Sequence, residues 1–202
     1  MKFFLSDTHF NHIHSSGDEL GGIIKYSNRP FKSIEEMNKT IMGNFRDSTT
    51  PNDDIYFLGD FAMGIKLKHP ALLKEFTEGR TVFGILGNHD QLKKEVYLQY
   101  FKEVHLSLEI ELQGHKCLLS HYPYEPLPGE EIGHRNDFRF LDRRPQKVPE
   151  RFLLHGHSHS TPETRLGEGA LDIGIDPWYY RPVSEQTIVP LIEKWKSGNW
   201  NT

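Results

Sequence analysis

Five short apolar runs constrain the fold more than any other feature of this 202-residue sequence. The runs occupy residues 3–5, 55–58, 82–86, 117–119 and 152–154. Each of them stops abruptly and is followed by a cluster that contains Asp, Asn or His. Short apolar runs that end in this way predict buried strands. Because an α/β sheet binds its ligands at the carboxyl ends of its strands, the polar clusters are expected to meet in one place.

The cluster after the third run carries three chemically distinct side chains in a row. Gly87 allows the backbone to turn, and Asn88, His89 and Asp90 follow it. The Asn88 amide oxygen could bind a metal, the His89 imidazole could move a proton, and the Asp90 carboxylate could orient that imidazole. A turn containing Asn is the simpler interpretation of this cluster alone. The recurrence of such clusters after the other four runs favours a functional site.

The other four clusters supply carboxylates and imidazoles. The residues are Asp7, His9, Asp60, His121, His157 and His159. Three further histidines lie close to these positions and are expected to support or line the site: His12, His14 and His155. The remaining four are interpreted as ordinary surface or turn residues: His69, His105, His115 and His134.

The first half of the chain alternates predicted strands with predicted helices. Ser33 with Glu36 fits a capping box at the start of an amphipathic helix, and residues 69–79 and 91–101 read as further helices. This alternation predicts a parallel sheet. Apolar and polar residues then alternate over 106–112, before a hairpin turn at Gln113 and Gly114, which predicts a second, partly antiparallel sheet.

The second half is less regular. Residues 123–149 lack periodicity and read as a long loop or lid, and residues 171–175 as a strand. The type of the element over 188–195 stays open because Pro190 lies within it. Length and the absence of low-complexity sequence predict a single domain over residues 1–202.

Charge and apolar content limit the classes of partner. A net charge of -4 argues against a general affinity for long nucleic acid. The apolar stretch at the N-terminus is too short for a signal peptide or a membrane span, so a cytoplasmic location without membrane association is expected. The single cysteine, Cys117, excludes an intramolecular disulfide and is expected to be a small core residue.

Taken in order, the clusters read Asp-x-His, Gly-Asp, Gly-Asn-His-Asp, His and Gly-His-x-His, from Asp7 to His159. This resembles the calcineurin-like metallophosphoesterases, which carry the same blocks in the same order. The stretches Asp7-Thr8-His9-Phe10, Arg29-Pro30-Phe31 and Glu35-Glu36-Met37 are similar to a compact subset of that family found in bacteria and phages. The resemblance implies an α/β fold, a four-layer αββα sandwich of two mixed sheets flanked by helices.

The resemblance also implies a role for each motif residue. Asp7, His9 and His159 would hold one divalent metal ion; Asn88, His121 and His157 would hold the second, with Asp60 bridging the two. His89 would protonate the departing oxygen or stabilise charge on the phosphoryl group, and Asp90 would fix the orientation of His89. Oxygen and imidazole ligands without thiolate suit Mn, Fe, Zn, Co or Ni. The implied reaction is in-line attack on phosphorus by a metal-bound hydroxide.

The expected substrate is a small-molecule phosphate ester, a phosphodiester of a nucleotide-like compound. Arg135, Arg139 and Tyr122 are candidate substrate contacts, although Arg135 and Arg139, together with Arg143 and Arg144, are about equally well explained as a solvated charged loop. The aromatic residues at 178–180 could stack on a base, but core packing explains them better.

A phosphomonoesterase, a nuclease and a catalytically silent interaction module are the alternatives. The acidic balance argues against the nuclease, and the complete set of motif residues argues against the silent module. The oligomeric state stays open.

Overall fold

A computed structural model describes residues 1–14, 16–18, 20–64, 68–126, 140–167 and 169–198. In these residues, ten strands are divided equally between two mixed sheets. The strands are β1 (Lys2–Leu5), β2 (Asp54–Phe57), β3 (Thr81–Ile85), β4 (Glu103–His105), β5 (Ser107–Leu112), β6 (His115–Ser120), β7 (Phe152–His155), β8 (Leu166–Gly167), β9 (Ala170–Asp172) and β10 (Val183–Ser184). The α-helices are α1 (Ile23–Tyr26), α2 (Ile34–Ser48), α3 (His69–Thr77), α4 (Lys94–Tyr97) and α5 (Glu185–Lys196).

The first sheet has the strand order β10-β1-β2-β3-β4. Strands β1 to β4 run parallel, and β10 pairs antiparallel with β1. The second sheet has the order β5-β6-β7-β9-β8, in which β6, β7 and β9 run parallel and the two edge strands run antiparallel. The predicted α/β sandwich of two mixed sheets with flanking helices is therefore confirmed.

Two apolar clusters hold the layers together. One joins the outer face of the first sheet to the helices, where Phe57 packs against Phe76 of α3 and the α2 residues Met37 and Phe45 are buried. The other lies between the sheets and includes Phe4 of β1 and Phe152 of β7, with Ile188 and its neighbours on α5. Strands β1 to β3 therefore have apolar neighbours on both faces, which explains their unbroken apolar runs.

The predicted local signals largely hold. Ser33 caps α2 by accepting a hydrogen bond from the Glu36 backbone N–H, while the Glu36 carboxylate accepts one from the Lys32 N–H. Gln113 and Gly114 both have positive φ angles in the tight turn between β5 and β6. Cys117 is buried in the core as expected, and burial raises the pKa of its thiol to about 12.

Two local predictions differ from the structure, and the element whose type was left open is a helix. The helix predicted over 91–101 is helical only at Lys94–Tyr97 and continues as tight turns. Hydrogen bonds to Asp90 hold the loop before it in a non-helical conformation. The element around Pro190 is helical throughout α5, since the buried apolar face outweighs one missing backbone hydrogen bond. His69 is buried rather than exposed, and its ring pairs with the Met63 carbonyl oxygen at 3.1 Å.

Two of the three aromatic residues at 178–180 contribute to packing. The Trp178 indole N–H donates to the Asp172 carbonyl oxygen over 2.8 Å, and the Tyr180 ring packs against Phe31. Tyr179 is 72% exposed. No helix in the described part of the chain is long and apolar enough to cross a membrane.

Candidate metal centre

Seven of the predicted residues meet where strands of both sheets end. Six of them form two groups, Asp7 with His9 and His159, and Asp60 with His121 and His157, and the potential ligand atoms within each group lie within 4.8 Å of one another. The side chains of Asn88 and His121 are in contact, with 3.1 Å between Asn88 Oδ1 and His121 Nε2. Residues separated by as many as 152 positions in sequence (7 to 159) thus share one site.

Asp60 lies between the two groups. Its Oδ2 is 3.5 Å from His9 Nε2 in the first group and 3.4 Å from His121 Nε2 in the second. A carboxylate in this position can bind a cation on each side, and catalytic cation pairs in proteins lie about 3.5–4 Å apart.

Three of the imidazoles are oriented by a contact of Nδ1, the ring nitrogen that faces away from the carboxylates of the site. His121 Nδ1 lies 2.8 Å from the Leu58 carbonyl oxygen, and His159 Nδ1 lies 2.7 Å from Asp176 Oδ2. His9 Nδ1 is 3.0 Å from Nδ1 of His12. In each ring, this contact leaves Nε2 directed towards the carboxylates of the site. Such contacts set the tautomer and ring direction of metal-binding histidines.

Two buried polar atoms at the centre lack a hydrogen-bond partner among the described residues: Asp7 Oδ1 and His9 Nε2. They are 3.8 Å apart, and Asp7 Oδ1 is also 3.8 Å from His159 Nε2. Buried polar atoms are costly when unsatisfied, so a convergent pair needs an explanation. A divalent cation between them would satisfy both, and the mixed oxygen and nitrogen donors suit a first-row transition metal. The residues present therefore fit a metal site.

Each central carboxylate divides its two oxygens between the backbone and the site. Asp7 Oδ2 accepts the His157 backbone N–H over 3.0 Å, and Asp60 Oδ1 accepts the His89 backbone N–H over 2.8 Å. The second oxygen of each carboxylate faces the imidazoles. The loops after different strands are thus tied to one another through the same groups that would bind metal.

The backbone of the site is unusual. Five of the seven residues have left-handed φ angles although none is glycine: Asp7 (59°), His9 (48°), Asp60 (59°), His157 (68°) and His159 (46°). Non-glycine residues adopt this region infrequently, and such strained positions concentrate at functional sites. The neighbouring Gly87 and Gly156 are needed for close approach, since a Cβ at either position would collide with the Asp60 or Asp7 carboxylate.

The charges of the site shift the pKa values in opposite directions. Burial alone would lower the pKa of His121, but the Asp60 charge raises it to about 10. Burial lowers the pKa of His9 and of His157 to about 4. Burial would raise the pKa of Asp60, yet the neighbouring imidazoles lower it well below its usual range. Asp60 is therefore ionised, and His9 and His157 are neutral, at physiological pH.

His89 lies beside the two groups and belongs to neither. Its ring centre is 5.2 Å from that of His9 and 5.8 Å from that of His12. The expected hydrogen bond from the His89 imidazole N–H to the Asp90 carboxylate is not among the hydrogen bonds of the described residues. Instead, the Asp90 carboxylate accepts the backbone N–H groups of Asp60, Phe61 and Gly87 and the Tyr97 hydroxyl. Asp90 therefore fixes the loop, because its carboxylate accepts three backbone N–H groups.

The three neighbouring histidines are arranged differently from one another. His12 is buried beside His9, as a supporting role requires. The buried His155 ring contacts the Gly156 carbonyl oxygen in the loop that carries His157. His14 pairs instead with the Ser16 hydroxyl within its own exposed loop.

Tyr122 forms a wall next to the second group. Its ring centre lies 5.0 Å from that of His121 and 5.2 Å from that of His157, and the Phe140 ring packs against both Tyr122 and His157. The Arg143 guanidinium is 3.4 Å from the Tyr122 hydroxyl. The two arginines predicted as substrate contacts, Arg135 and Arg139, lie outside the described residues.

Sequence reasoning did not single out Asp176 or Arg29 as parts of the site. Asp176 follows the predicted strand over 171–175, so it has the same position at a strand end as the predicted ligands. Arg29 lies outside any periodic segment, and its only sequence signal was the stretch Arg29-Pro30-Phe31 in the family resemblance, which assigned it no role.

Comparison with known proteins agrees with this geometry. A family profile described as the calcineurin-like phosphoesterase superfamily domain matches residues 1–171. The uncharacterized protein MJ1445 of Methanocaldococcus jannaschii is 32% identical over 200 residues, which cover 96% of this chain and 92% of that protein. A crystal structure of the protein of unknown function AQ665 from Aquifex aeolicus aligns with a TM-score of 0.67 at 27% identity, covering 95% of this chain and 98% of that one.

Proposed function

Because the chain belongs to the calcineurin-like phosphoesterase superfamily, we propose that it is a phosphoesterase that depends on two divalent cations. Its proposed substrates are phosphodiesters of nucleotide-like small molecules, and residues 1–202 are proposed to act as a single domain. The observation that supports this most strongly is the position of Asp60, whose Oδ2 faces His9 on one side and His121 on the other.

Each proposed ligand has a defined part in holding the cation pair. Asp7, His9 and His159 would hold one cation, and Asn88, His121 and His157 the other, with Asp60 shared. When bound, such a pair supplies Lewis-acid chemistry, which activates water and withdraws charge from phosphoryl oxygens. The chain contributes by fixing the ligands before the cations bind.

His89 is the proposed general acid. Its imidazole lies beside His9 without being part of either ligand group, so its ring nitrogens remain available to a substrate. Proton donation to a departing alkoxide is worth about 10²- to 10⁴-fold in rate. The hydrogen bond from the His89 backbone N–H to Asp60 fixes the loop that carries this imidazole.

The aromatic side chains around the site favour a diester. Tyr122 and Phe140 lie on the His157 side, and Tyr26, which is 59% exposed, lies 6.4 Å from His12 on the His89 side. A phosphodiester carries an organic group on each side of phosphorus and can contact both walls. A phosphomonoester can contact only one of them.

A substrate panel tests the proposal. Phosphomonoesters, linear diesters, cyclic nucleotides and oligonucleotides would be assayed with Mn²⁺, Co²⁺, Ni²⁺, Zn²⁺ or Fe²⁺, and Asp60→Asn prepared in parallel would reveal contaminating enzymes. Preferred hydrolysis of small diesters is expected. Activity confined to monoesters would contradict the diester assignment, and strongly salt-dependent cleavage of long DNA would indicate a nuclease. Binding of two cations without hydrolysis of any ester would contradict the enzymatic assignment.

A further inference from the structure

An arginine outside the ligand set lies fully buried behind the first metal group. The Arg29 side chain is 0% exposed, and it forms a bidentate ion pair with Asp176, with 2.8 Å from Nε to Oδ1 and 2.9 Å from Nη2 to Oδ2. Burying an arginine is costly unless its charge is paired and its donors are satisfied. Planar bidentate pairing of this kind requires a guanidinium and is not available to lysine.

The same guanidinium also holds the loop after β1. Nη2 donates to the Asp7 carbonyl oxygen over 2.7 Å, and Nη1 donates to the Thr8 carbonyl oxygen over 3.1 Å. These carbonyls belong to the segment in which Asp7 and His9 have left-handed φ angles. By donating hydrogen bonds to two carbonyl oxygens of this strained loop, the Arg29 guanidinium stabilises the conformation of the loop.

Asp176 connects the Arg29 guanidinium to His159, one of the proposed metal ligands. Its Oδ2 accepts a hydrogen bond from His159 Nδ1 over 2.7 Å, while His159 Nε2 lies 3.8 Å from Asp7 Oδ1. The chain of contacts therefore runs from Arg29 to Asp176 to His159, and it returns from Arg29 to the Asp7 backbone. Two members of the first metal group, His159 through Asp176 and Asp7 through its backbone carbonyl, are therefore tied to one guanidinium.

The second group is supported in another way. His121 is oriented by the backbone carbonyl of Leu58 at the end of β2, without a side-chain carboxylate behind it. The two groups therefore differ in what a single substitution at residue 176 can disturb.

We propose that Asp176 and Arg29 are positioning residues that pre-organise the first metal group, Asp7 with His9 and His159, and leave the second group unaffected. This inference rests on the proposed cation pair. One of the two cation affinities should therefore depend on the Asp176 carboxylate and the Arg29 guanidinium, which do not themselves bind the metal.

Mn²⁺ binding to the full chain, measured by calorimetry, tests this. Asp176→Asn should weaken one of two binding events by about 10- to 100-fold, the usual cost of losing an outer hydrogen-bond partner of a metal ligand, and leave the other unchanged. Arg29→Lys should weaken the same event. Arg80→Lys is the matched control, since Arg80 binds Thr49 at the opposite end of the first sheet, and it should retain both affinities.

A second substitution identifies the affected group. His159→Ala should remove the same binding event, and adding Asp176→Asn to His159→Ala should then change the remaining affinity no further. Equal affinities in wild type and Asp176→Asn would overturn the proposal, as would equal weakening of both events in a folded variant. If wild type bound no Mn²⁺ at all, the proposed cation pair itself would fail, which is a different outcome.

A measurement on the unmodified chain decides the matter if the variants do not fold. In the Zn²⁺-loaded protein, nitrogen-15 NMR of the histidine rings should show His159 protonated at Nδ1 and metal-bound at Nε2. Metal binding through Nδ1, or a deprotonated Nδ1, would overturn the proposed role of Asp176.

Discussion

The backbone N–H of His89 donates a hydrogen bond to Oδ1 of Asp60 over 2.8 Å. The other oxygen of Asp60 faces His9 and His121, so one carboxylate ties the loop of the proposed acid to both ligand groups. The backbone of His89 and the two candidate metal groups are therefore held by the same side chain.

Asp60→Asn should preserve the fold and abolish the cation pair. Asparagine keeps the oxygen that accepts the His89 N–H but loses the negative charge shared by the two groups. We expect fewer than two Mn²⁺ ions per chain by calorimetry, and a loss of activity larger than the roughly 100-fold that a supporting residue costs. Glu75→Gln, which alters an exposed ion pair with Arg46, is the control. Two tightly bound ions in Asp60→Asn would contradict the bridging role.

His89→Ala should separate chemistry from metal binding. Since His89 belongs to neither group, the variant should still bind two cations. Its turnover of a diester with an alkyl leaving group should fall by about 10²- to 10⁴-fold, whereas a nitrophenyl leaving group needs no proton and should be affected much less. His105→Ala, which changes a histidine paired with Glu103, should behave like wild type. Unchanged turnover of the alkyl ester would exclude His89 as the acid.

Asp90→Ala should act first on stability. The substitution removes the acceptor of three backbone N–H groups and of the Tyr97 hydroxyl, and each buried donor left unpaired costs about 1–3 kcal/mol. Tyr97→Phe removes only one of these hydrogen bonds and should cost about 1 kcal/mol. Urea unfolding of the metal-free proteins measures both changes. A normal unfolding free energy in Asp90→Ala, combined with lost activity, would instead favour direct orientation of His89.

The sequence predicted the fold and the site best at the strands whose ends carry a carboxylate, an amide or an imidazole. The apolar runs before Asp7, Asp60, Asn88, His121 and His157 are all strands, because continuous apolar segments can be buried on both faces. The position of the polar clusters at strand ends predicted that they meet, the resemblance to the calcineurin-like metallophosphoesterases indicated which side chains take part, and the structure brings the seven together.

Contacts that depend on three-dimensional packing were not visible in the sequence. Asp90 binds backbone N–H groups from two loops, and no pattern in its own loop reveals the approach of residues 60 and 61. Arg29 and Asp176 lie 147 positions apart, and their pairing follows from the way residues 174–176 run beside the loop after β1. Such partners are found only once the sheets are assembled.

The raised pKa of His121 predicts that the metal-free protein loses stability in alkaline solution. Burial would lower this pKa, but the Asp60 charge raises it to about 10 in the folded chain, above the 6.5 of an ordinary histidine. The ion pair therefore contributes its full stability below pH 6.5, and this contribution is lost as the pH rises through 10. Melting temperatures between pH 6 and 10 should fall more steeply for wild type than for His121→Gln. Parallel curves would contradict the ion pair.

Cation binding should release protons at neutral pH. With a pKa of about 10 before metal binds, His121 is protonated at pH 7.5 and must lose that proton to become a ligand, whereas His9 and His157, with pKa values of about 4, are already neutral. Calorimetry with Mn²⁺ in two buffers of different ionisation enthalpy should show at least one proton released, and affinity should rise by about tenfold per pH unit below pH 10. His121→Gln should lose this release. Binding of two cations by wild type with no proton released would mean that Asp60 does not hold His121 in its charged form.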